Sequence, residues 1–379
     1  MTDNNSTNPK RKILFVISHI DFSFGFDWLS SHLNKNKFEQ VYLFLNPVEP
    51  ALLKIVQERG IEAYYFPYSS KKNLPAVAFK IAKLIRKIKP HTVHTHLFDA
   101  CIAALPVAFL VRVPQRIYTR HHSTFHHIYH PSAIKYDKLI NGLCTDIIAI
   151  SENVAEVLRN LEHVPSRKIK LIYHGFELNR FDDQKQLNTD NLKSKLNILD
   201  SYPVIGVISR YTHWKGVQYI IPAFKKVLKK HPNAKLVLAN AAGDFATNIR
   251  MQLQSLPRES YVELDFEKDI FALYSLFHIF VHVPIDACAE AFGQTYVEAL
   301  ASGVPSVFTL SGIAREFIKH KENAFVVPFE NAEAIYEGIC CLLENDALRN
   351  SIIEKGKNDV NNLFTIDKMI SALEELYGT

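Results

Sequence analysis

Long apolar runs, C-x-x-C cysteine pairs and acidic D-x-D metal motifs are all missing from this sequence of 379 residues. No stretch approaches the roughly 18 consecutive apolar residues that a membrane-spanning helix needs. The first twelve residues are polar and show no secretory signal, so we expect a cytoplasmic protein. The five cysteines form no C-x-x-C pair, which argues against a disulfide framework or a zinc knuckle. No D-x-D motif and no internal repeat occurs.

The net charge of +5 is distributed unevenly along the chain. Residues 1–185 contain 25 Lys and Arg against 16 Asp and Glu, whereas the remainder contains 19 against 23. Twelve of the 17 histidines also lie before residue 186. Such asymmetry is typical of two domains with different partners, and the length independently favours two domains.

Short apolar runs alternate with amphipathic segments through most of the sequence. The runs that predict buried strands are Ile13–Ser18, Gln40–Leu45, His91–Thr95, Arg116–Thr119, Ile147–Ile150, Ile169–Tyr173, Val204–Ile208, Lys235–Ala239, Ile279–Val283, Ser306–Thr309 and Ala324–Val327. Segments such as Pro75–Ile88 and Val217–Lys230 predict helices between them. Because this alternation produces parallel sheets covered by helices, the sequence predicts an α/β protein of two doubly wound Rossmann-like domains facing each other across a cleft.

The domain boundaries follow from composition. We place an N-terminal domain at residues 1–185 and a second domain at residues 186–355. A helical segment, residues 356–379, is then expected to pack back on the N-terminal domain. The polar stretch Asp182–Tyr202 predicts a linker with a poorly packed helix.

Two glutamates flank a short loop in the second domain. Glu290 precedes the loop, Gly293 ends it, and a helix is predicted to begin directly afterwards. Thr295 and Glu298 have the spacing of a capping box at the start of that helix. Two carboxylates beside the positive end of a helix suit a ligand with several hydroxyls and a phosphate.

Two cations lie upstream on another strand-to-helix loop. In the segment V-I-S-R-Y-T-H-W-K-G, Arg210 and Lys215 follow the predicted strand Val204–Ile208. A planar guanidinium and a mobile ammonium can hold one diphosphate together. The alternative is two exposed surface cations.

These motifs carry a resemblance to a known family. R-x4-K-G followed by E-x7-E in E-A-F-G-Q-T-Y-V-E-A-L-A-S-G-V-P-S-V resembles the retaining nucleotide-sugar glycosyltransferases of the GT-B fold, family four. Residues 172–181 and 271–284 also resemble segments of that family. The resemblance implies transfer of a sugar from a nucleoside diphosphate donor to an acceptor hydroxyl with retention, in the synthesis of cell-surface polysaccharide or glycoconjugate.

The resemblance also implies roles for matched residues of the donor side. Glu298 would bind the ribose hydroxyls, and Glu290 would lie against the donor sugar. Arg210 and Lys215 would hold the diphosphate and stabilise charge on the leaving group. The backbone N–H groups implied to contact sugar and phosphate belong to Phe292, Gly293, Gln294 and Thr295.

On the acceptor side, the family places a histidine near the anomeric carbon in a T-x-H pattern. Thr119-Arg120-His121 matches that pattern, and His122 is the near alternative. For any single one of these histidines, a structural, partly buried position in a loop or helix is the more common role.

Three positions depart from the family's usual residues. The family usually has a Gly-Gly pair in the loop after the first strand, where the backbone approaches phosphate or acceptor. Gly25 is expected in that loop as a donor-binding residue, but Phe24 precedes it here. Ser311-Gly312 replaces another frequent Gly-Gly pair, and His278 stands where the family usually carries an aspartate.

The histidines leave a metal site as an alternative, because His122, His126 and His130 recur every four residues. Further ligands would come from His94, His96 and Asp99. The resemblance implies instead that no metal and no cofactor is needed beyond the nucleotide sugar.

The segment Phe79–Lys89 is basic and carries an apolar stripe through Ile81, Leu84, Ile85 and Ile88. It is typical either of a core-facing helix or of a helix on an anionic membrane.

The expected acceptor is a saccharide or lipid-linked saccharide, and the location would be cytoplasmic, at the inner face of the membrane. Dispersed basic residues without a recognised module argue against nucleic acid.

Two rival functions fit the same motifs. A nucleotide-sugar epimerase or hydrolase would turn over the donor without any acceptor. A non-catalytic nucleotide-sugar-binding protein would bind the donor without turnover.

Overall fold

The structure is a computed structural model that describes residues 10–182 and 189–379. The chain forms two compact units. Unit 1 contains the residues up to Phe176 together with Ile366–Thr379, and unit 2 contains Glu177–Thr365. The predicted boundary between residues 185 and 186 lies outside the described residues. Of the predicted C-terminal segment, residues 356–365 belong to unit 2 and residues 366–379 to unit 1.

Strands and helices alternate along both units. The strands are β1 (Arg11–Ser18), β2 (Phe38–Asn46), β3 (Glu62–Pro67), β4 (Thr92–His96), β5 (Gln115–Arg120), β6 (Asp146–Ala149), β7 (Ile169–Leu171), β8 (Val204–Ile208), β9 (Lys235–Ala239), β10 (Tyr261–Leu264), β11 (Ile279–His282), β12 (Ser306–Phe308) and β13 (Phe325–Val326). The helices are α1 (Phe24–His32), α2 (Ala51–Glu58), α3 (Leu74–Ile88), α4 (Phe98–Leu110), α5 (Phe125–Tyr129), α6 (Ile134–Leu143), α7 (Glu152–Glu156), α8 (Asn179–Asp182), α9 (Thr189–Leu196), α10 (Val217–Lys230), α11 (Ala246–Leu253), α12 (Ile270–Ser275), α13 (Gln294–Ala301), α14 (Ala314–Phe317), α15 (Ala332–Glu344), α16 (Asp346–Leu363) and α17 (Ile366–Gly378).

The described residues of each unit form one parallel sheet. The sheet of unit 1 has the order β3-β2-β1-β4-β5-β6-β7, and that of unit 2 has the order β10-β9-β8-β11-β12-β13. Every strand pair is parallel. Both orders begin 3-2-1-4, which is the doubly wound Rossmann arrangement. The predicted fold class of two Rossmann-like α/β domains is therefore confirmed.

The bounds predicted from the apolar runs agree closely with the observed bounds of several central strands. β8 and β9 have the predicted bounds, and β1 lies within two residues of its prediction. The prediction missed β3 and β10, which form the outer strands at corresponding ends of the two sheets. Neither has a buried residue, so neither shows the continuous apolar run of a central strand.

The helix predicted within Asp182–Tyr202 forms but is better packed than expected. α9 buries Leu192 and Leu196, and it contacts α12. The expectation of a poorly packed helix is thus wrong, because two leucines four residues apart lie on one helical face. The rest of the predicted linker includes residues 183–188, which lie outside the described residues.

The basic segment Phe79–Lys89 belongs mostly to α3. Its apolar stripe is buried in the core of unit 1, where it packs with residues of β1, β2 and α4. The lysines and Arg86 remain exposed on the opposite face. The stripe itself is therefore not available to a membrane surface. Within the described ranges, no helix has both the length and the apolar character that a bilayer crossing requires.

Candidate functional site

The candidate site of unit 2 lies where its strand order reverses. β8 and β11 are neighbours in the sheet, and the chain leaves them toward opposite sides. The carboxyl ends of such a strand pair form the usual ligand crevice of a doubly wound fold. Arg210 and Lys215 follow β8, and Glu290 follows β11, so the fold brings the two predicted loops to one edge of the sheet.

Lys215 is held by a short turn that ends in glycine. The residues His213–Lys215 form a single 3-10 turn, and Gly216 has φ +75° before α10 begins. A Cβ atom at Gly216 would overlap the carbonyl oxygen of Val283. Only glycine combines this conformation with this close approach. The turn therefore fixes Lys215 close to the segment that follows β11.

Glu290 receives two side-chain donors on one oxygen. Lys215 Nζ donates to Oε1 over 2.5 Å, and His282 Nε2 lies 3.0 Å from the same oxygen. The backbone N–H of Glu290 donates to the hydroxyl of Ser311 over 3.0 Å. Burial raises the pKa of Glu290, but Lys215 and His282 outweigh burial and lower it to about 2. Glu290 is thus ionised at neutral pH and held at both its carboxylate and its backbone.

His282 is a member of this cluster that the sequence prediction missed. It is the last residue of β11 and is 2% exposed. Burial lowers its pKa below 6.5 despite the adjacent carboxylate. A carboxylate only accepts hydrogen bonds, so the proton of the neutral imidazole lies on Nε2. Among the described residues, Nδ1 of His282 has no hydrogen-bond partner.

The helix after the glutamate loop begins where predicted, but its cap differs. α13 begins at Gln294, directly after Gly293, which has φ +88°. The predicted capping box of Thr295 and Glu298 is wrong, because Thr295 already lies inside the helix and no side chain of the described residues caps the start of α13. The Thr295 hydroxyl oxygen is buried without a partner in the described part of the chain.

Glu298 faces a tyrosine instead of its own helix end. Tyr274 Oη donates to Glu298 Oε2 over 2.9 Å. Burial raises the pKa of Glu298 to about 7, and the tyrosine hydrogen bond only partly offsets it. The two glutamates of the loop therefore have opposite electrostatic environments: Glu290 is stabilised as an anion, and Glu298 is not.

The remaining donor-side residues differ in exposure. Phe292 is buried, and its ring meets Phe364 edge to face at 5.8 Å. Gln294 is exposed in the first turn of α13. Arg210 is also exposed, and its guanidinium pairs with no residue that the structure describes. Arg210 is thus a solvent-facing cation next to the strand end.

In unit 1, Gly25 lies in the first turn of α1 and not in the preceding loop, where we expected it. α1 begins at Phe24 after Ser23, whose side chain makes no capping hydrogen bond. The N-terminus of this helix follows β1, at the point where the strand order of unit 1 reverses.

His121 lies among other histidines directly after β5. Its Nε2 atom is 3.2 Å from Nδ1 of His96, and its ring stacks on that of His174 at 5.7 Å. Partial burial and the neighbouring imidazoles hold the pKa of His121 well below 6.5. The ring is neutral at physiological pH.

His122 belongs to a separate buried network. Its Nε2 atom lies 3.6 Å from Asp137, and Asp137 also contacts His126 at 2.7 Å. Arg120 is fully buried between Asp137 and Glu162, at 3.3 Å and 2.5 Å. The network fixes the end of β5 and so the position from which the next residue, His121, projects.

The proposed metal ligands do not all converge. Ligand atoms of His122, His126 and Asp137 lie within 4.8 Å of one another. His130 instead packs against Phe125. Asp99 pairs with His19, and His94 bonds to Tyr377 and Thr119. Arg120 already supplies a positive charge to Asp137, which weakens the case for a cation there.

Two family models match the chain. The model described as Glycosyl transferases group 1 matches residues 188–359, and that described as Glycosyltransferase Family 4 matches residues 29–180.

Curated relatives are similar over much of the chain. An uncharacterized glycosyltransferase of Methanocaldococcus jannaschii is 29% identical over 61% of this chain and 59% of its own length, which is less than two thirds of that relative. The capsular polysaccharide biosynthesis glycosyltransferase CapM of Staphylococcus aureus is 27% identical over 79% of this chain and 80% of that protein.

Among solved structures, that of Anabaena HepE in complex with UDP and glucose superposes with a TM-score of 0.82. It covers 97% of this chain and 99% of that chain at 19% sequence identity. This similarity establishes the fold alone.

Proposed function

Since the chain belongs to the group 1 glycosyltransferases of the GT-B fold, we propose that it transfers a sugar from a nucleoside diphosphate donor to an acceptor hydroxyl, with retention at the anomeric carbon. The observation that carries this proposal is the contact of Lys215 and His282 with one oxygen of Glu290 at the strand switch point of unit 2.

The diphosphate would bind between the two cations and the start of α13. Arg210 is exposed and unpaired among the described residues, so its guanidinium can accept a phosphate without breaking an existing ion pair. The ammonium of Lys215 has three N–H donors and can hold Glu290 and a phosphate oxygen together. The free N–H groups at the start of α13 add a partial positive charge.

These groups would stabilise the leaving group as it develops charge. When the bond from the sugar to the diphosphate breaks, negative charge increases on the diphosphate. Fixed cations and backbone N–H groups stabilise that charge where it forms. We therefore propose that transfer requires no metal ion.

The two glutamates would act differently on the donor. Because its pKa is about 2, Glu290 is a carboxylate at neutral pH and can accept hydrogen bonds from sugar hydroxyls. Glu298, with a pKa near 7, would contact the ribose hydroxyls. A bound ribose would replace part of the water at Glu298 and supply hydrogen-bond donors to its anionic form.

Unit 1 would bind the acceptor. His121 would lie near the reacting carbon, and the start of α1 at Gly25 would approach the acceptor or the phosphate. The relative CapM, named for capsular polysaccharide biosynthesis, supports a saccharide or lipid-linked saccharide acceptor. We propose a cytoplasmic enzyme at the inner face of the membrane, with the exposed cations of α3 toward anionic lipid.

A thermal-shift screen of UDP-, GDP- and ADP-sugars tests the donor directly, because a ligand of the native state raises the melting temperature. We expect one nucleotide series to raise it, also in the presence of EDTA. No shift with any of them would overturn the proposal.

Transfer is then tested with the donor that binds, and proton NMR reads the anomeric configuration of the product. We expect retention, and loss of transfer in the folded Glu290→Ala variant. Near-full activity of that variant, or equal turnover without any acceptor, would contradict a glycosyltransferase that uses this site.

A further inference from the structure

We infer that His96 positions His121 and thereby makes Nδ1, and not Nε2, the ring atom that His121 offers to a ligand. Only the identity of that ligand rests on the proposed function. His96 would be a positioning residue, since it contacts the imidazole and not the substrate.

The contact joins the ends of two neighbouring strands. β4 and β5 are paired in parallel, with His96 opposite Thr119. His96 is the last residue of β4, and His121 directly follows β5. Carboxyl ends of neighbouring parallel strands meet at one edge of the sheet, which is the edge where ligands bind.

The Nε2 atom of His121 is occupied by this contact. It lies 3.2 Å from Nδ1 of His96, within hydrogen-bond distance. Both rings are neutral, because burial and neighbouring imidazoles hold their pKa values well below 6.5. A neutral imidazole has one donor and one acceptor, so the two rings share a single proton along this bond.

The other nitrogen of His121 remains available. His121 is half-buried, and its Nδ1 atom makes no hydrogen bond within the described part of the chain. His174 stacks on the ring with an interplanar angle of 14°. His174 thus restricts the plane of the ring, and the bond to His96 selects one of the two ring orientations that a half-turn about the Cβ–Cγ bond exchanges.

His96 itself is held rigidly. It is 5% exposed, and Phe26 meets its ring at 4.9 Å and 81°. The ring of His94 lies 4.1 Å away on the same face of the sheet. Within the described residues, the Nε2 atom of His96 has no hydrogen-bond partner. Among the described residues, the bond to His121 is therefore the single polar contact that this imidazole makes.

Two substitutions separate the bond from the packing. The amide of His96→Asn reaches the place of Nδ1 and can keep the bond to His121. The amide of His96→Gln extends one carbon further, toward the place of Nε2, and cannot. Tyr377→Phe is the control, because it removes a buried hydrogen bond to His94 and leaves the His96 contact intact.

Nitrogen NMR of the full-length protein with 15N-labelled histidine provides a readout that does not depend on activity. The two ring nitrogen shifts of His121 report how its proton is divided between Nδ1 and Nε2, and His121→Gln identifies its signals. We expect His96→Gln to change this division, and His96→Asn and Tyr377→Phe to preserve it. Unchanged His121 shifts in folded His96→Gln would overturn the inference.

Kinetics gives the second readout, with the UDP-, GDP- or ADP-sugar that binds wild type in the thermal-shift screen as the probe. We expect His96→Gln to lower kcat about 10- to 100-fold with a donor KM within about 3-fold of wild type, because misplacing a group by about 1 Å can cost that much. His96→Asn should recover most of the rate. A larger effect on KM than on kcat would contradict a positioning role. If wild type turns over no nucleotide sugar, the proposed function fails, and the NMR comparison alone decides the inference about His96.

Discussion

Nζ of Lys215 lies 2.5 Å from Oε1 of Glu290, although 75 residues separate them in the sequence. The two residues follow neighbouring strands, β8 and β11, and their loops meet at the edge of the sheet. One buried carboxylate is thereby kept ionised beside a cation that still has donors to spare. We propose that this pairing lets the site hold a sugar hydroxyl and a phosphate next to each other.

Removal of Lys215 should destabilise unit 2 at neutral pH. The pKa of Glu290 is lowered to about 2, so its ion pair stabilises the fold above the unfolded value of 4.5 and is lost as pH falls toward 2. We expect Lys215→Met to lower the free energy of unfolding by about 1–3 kcal/mol at pH 7, with the difference from wild type shrinking below pH 4. Urea unfolding at several pH values measures this.

Lys226→Met is the matched control, because Lys226 pairs with Glu333 on the exposed surface. Such pairs contribute little to stability. An equal loss of unfolding free energy in both variants would contradict a stabilising ion pair between Lys215 and Glu290. A loss in Lys215→Met that does not depend on pH would contradict it as well.

Glu298 should destabilise the ligand-free protein in alkaline solution. Its pKa is raised to about 7, so the folded state favours the protonated form. The stability this provides is fully present below about pH 4.5 and is lost as pH rises through 7. We expect Glu298→Gln to be as stable as wild type near pH 4.5 and more stable by about 1–3 kcal/mol at pH 8.5. If the free energy of unfolding of wild type and of Glu298→Gln changes with pH in parallel, Glu298 is not desolvated in the folded protein.

Gly312 should be intolerant of a side chain. It has φ +57°, and a Cβ atom there would lie 2.7 Å from the carbonyl oxygen of Phe292 and 2.8 Å from Cβ of Glu290. We expect Gly312→Ala to reduce both stability and donor binding, because the glutamate loop must move. Thermal unfolding with and without the nucleotide sugar that binds wild type in the thermal-shift screen measures both effects.

Gly60→Ala is the control for Gly312→Ala, because it introduces the same backbone strain without crowding any neighbouring atom. Gly60 has φ +73°, but nothing lies within 4 Å of an added Cβ atom. We expect a loss of about 1–2 kcal/mol there from the left-handed conformation alone, with donor binding unchanged. If Gly312→Ala behaves in the same way, Gly312 does not shape the glutamate loop.

The sequence predicted the sheets because central parallel strands are continuous apolar runs. β8, β9 and α10 have their predicted bounds. The outer strands β3 and β10 were missed because neither has a buried residue, and partial burial leaves no such run.

The partners of the glutamates were harder to predict than the glutamates themselves. The E-x7-E spacing indicates both carboxylates, but Tyr274 reaches Glu298 from a different helix. His282 lies on a strand that reads as entirely apolar apart from this residue. A polar residue at the carboxyl end of a predicted central strand was the available signal. The capping box failed because glycine in the left-handed conformation starts α13 one residue before Thr295.

Calorimetric titration of wild type and Glu290→Gln tests the central claim most directly. It is done with the nucleotide sugar that binds in the thermal-shift screen of UDP-, GDP- and ADP-sugars, and with its nucleoside diphosphate alone. Glu290 is proposed to contact the sugar and not the nucleotide, and glutamine retains its size while losing its charge. We therefore expect the nucleoside diphosphate to bind both proteins within about 3-fold of the same affinity, and the nucleotide sugar to lose at least about 10-fold in the variant, equivalent to about 1.4 kcal/mol. Equal binding of the nucleotide sugar to both proteins would contradict the assignment of Glu290 to the donor sugar.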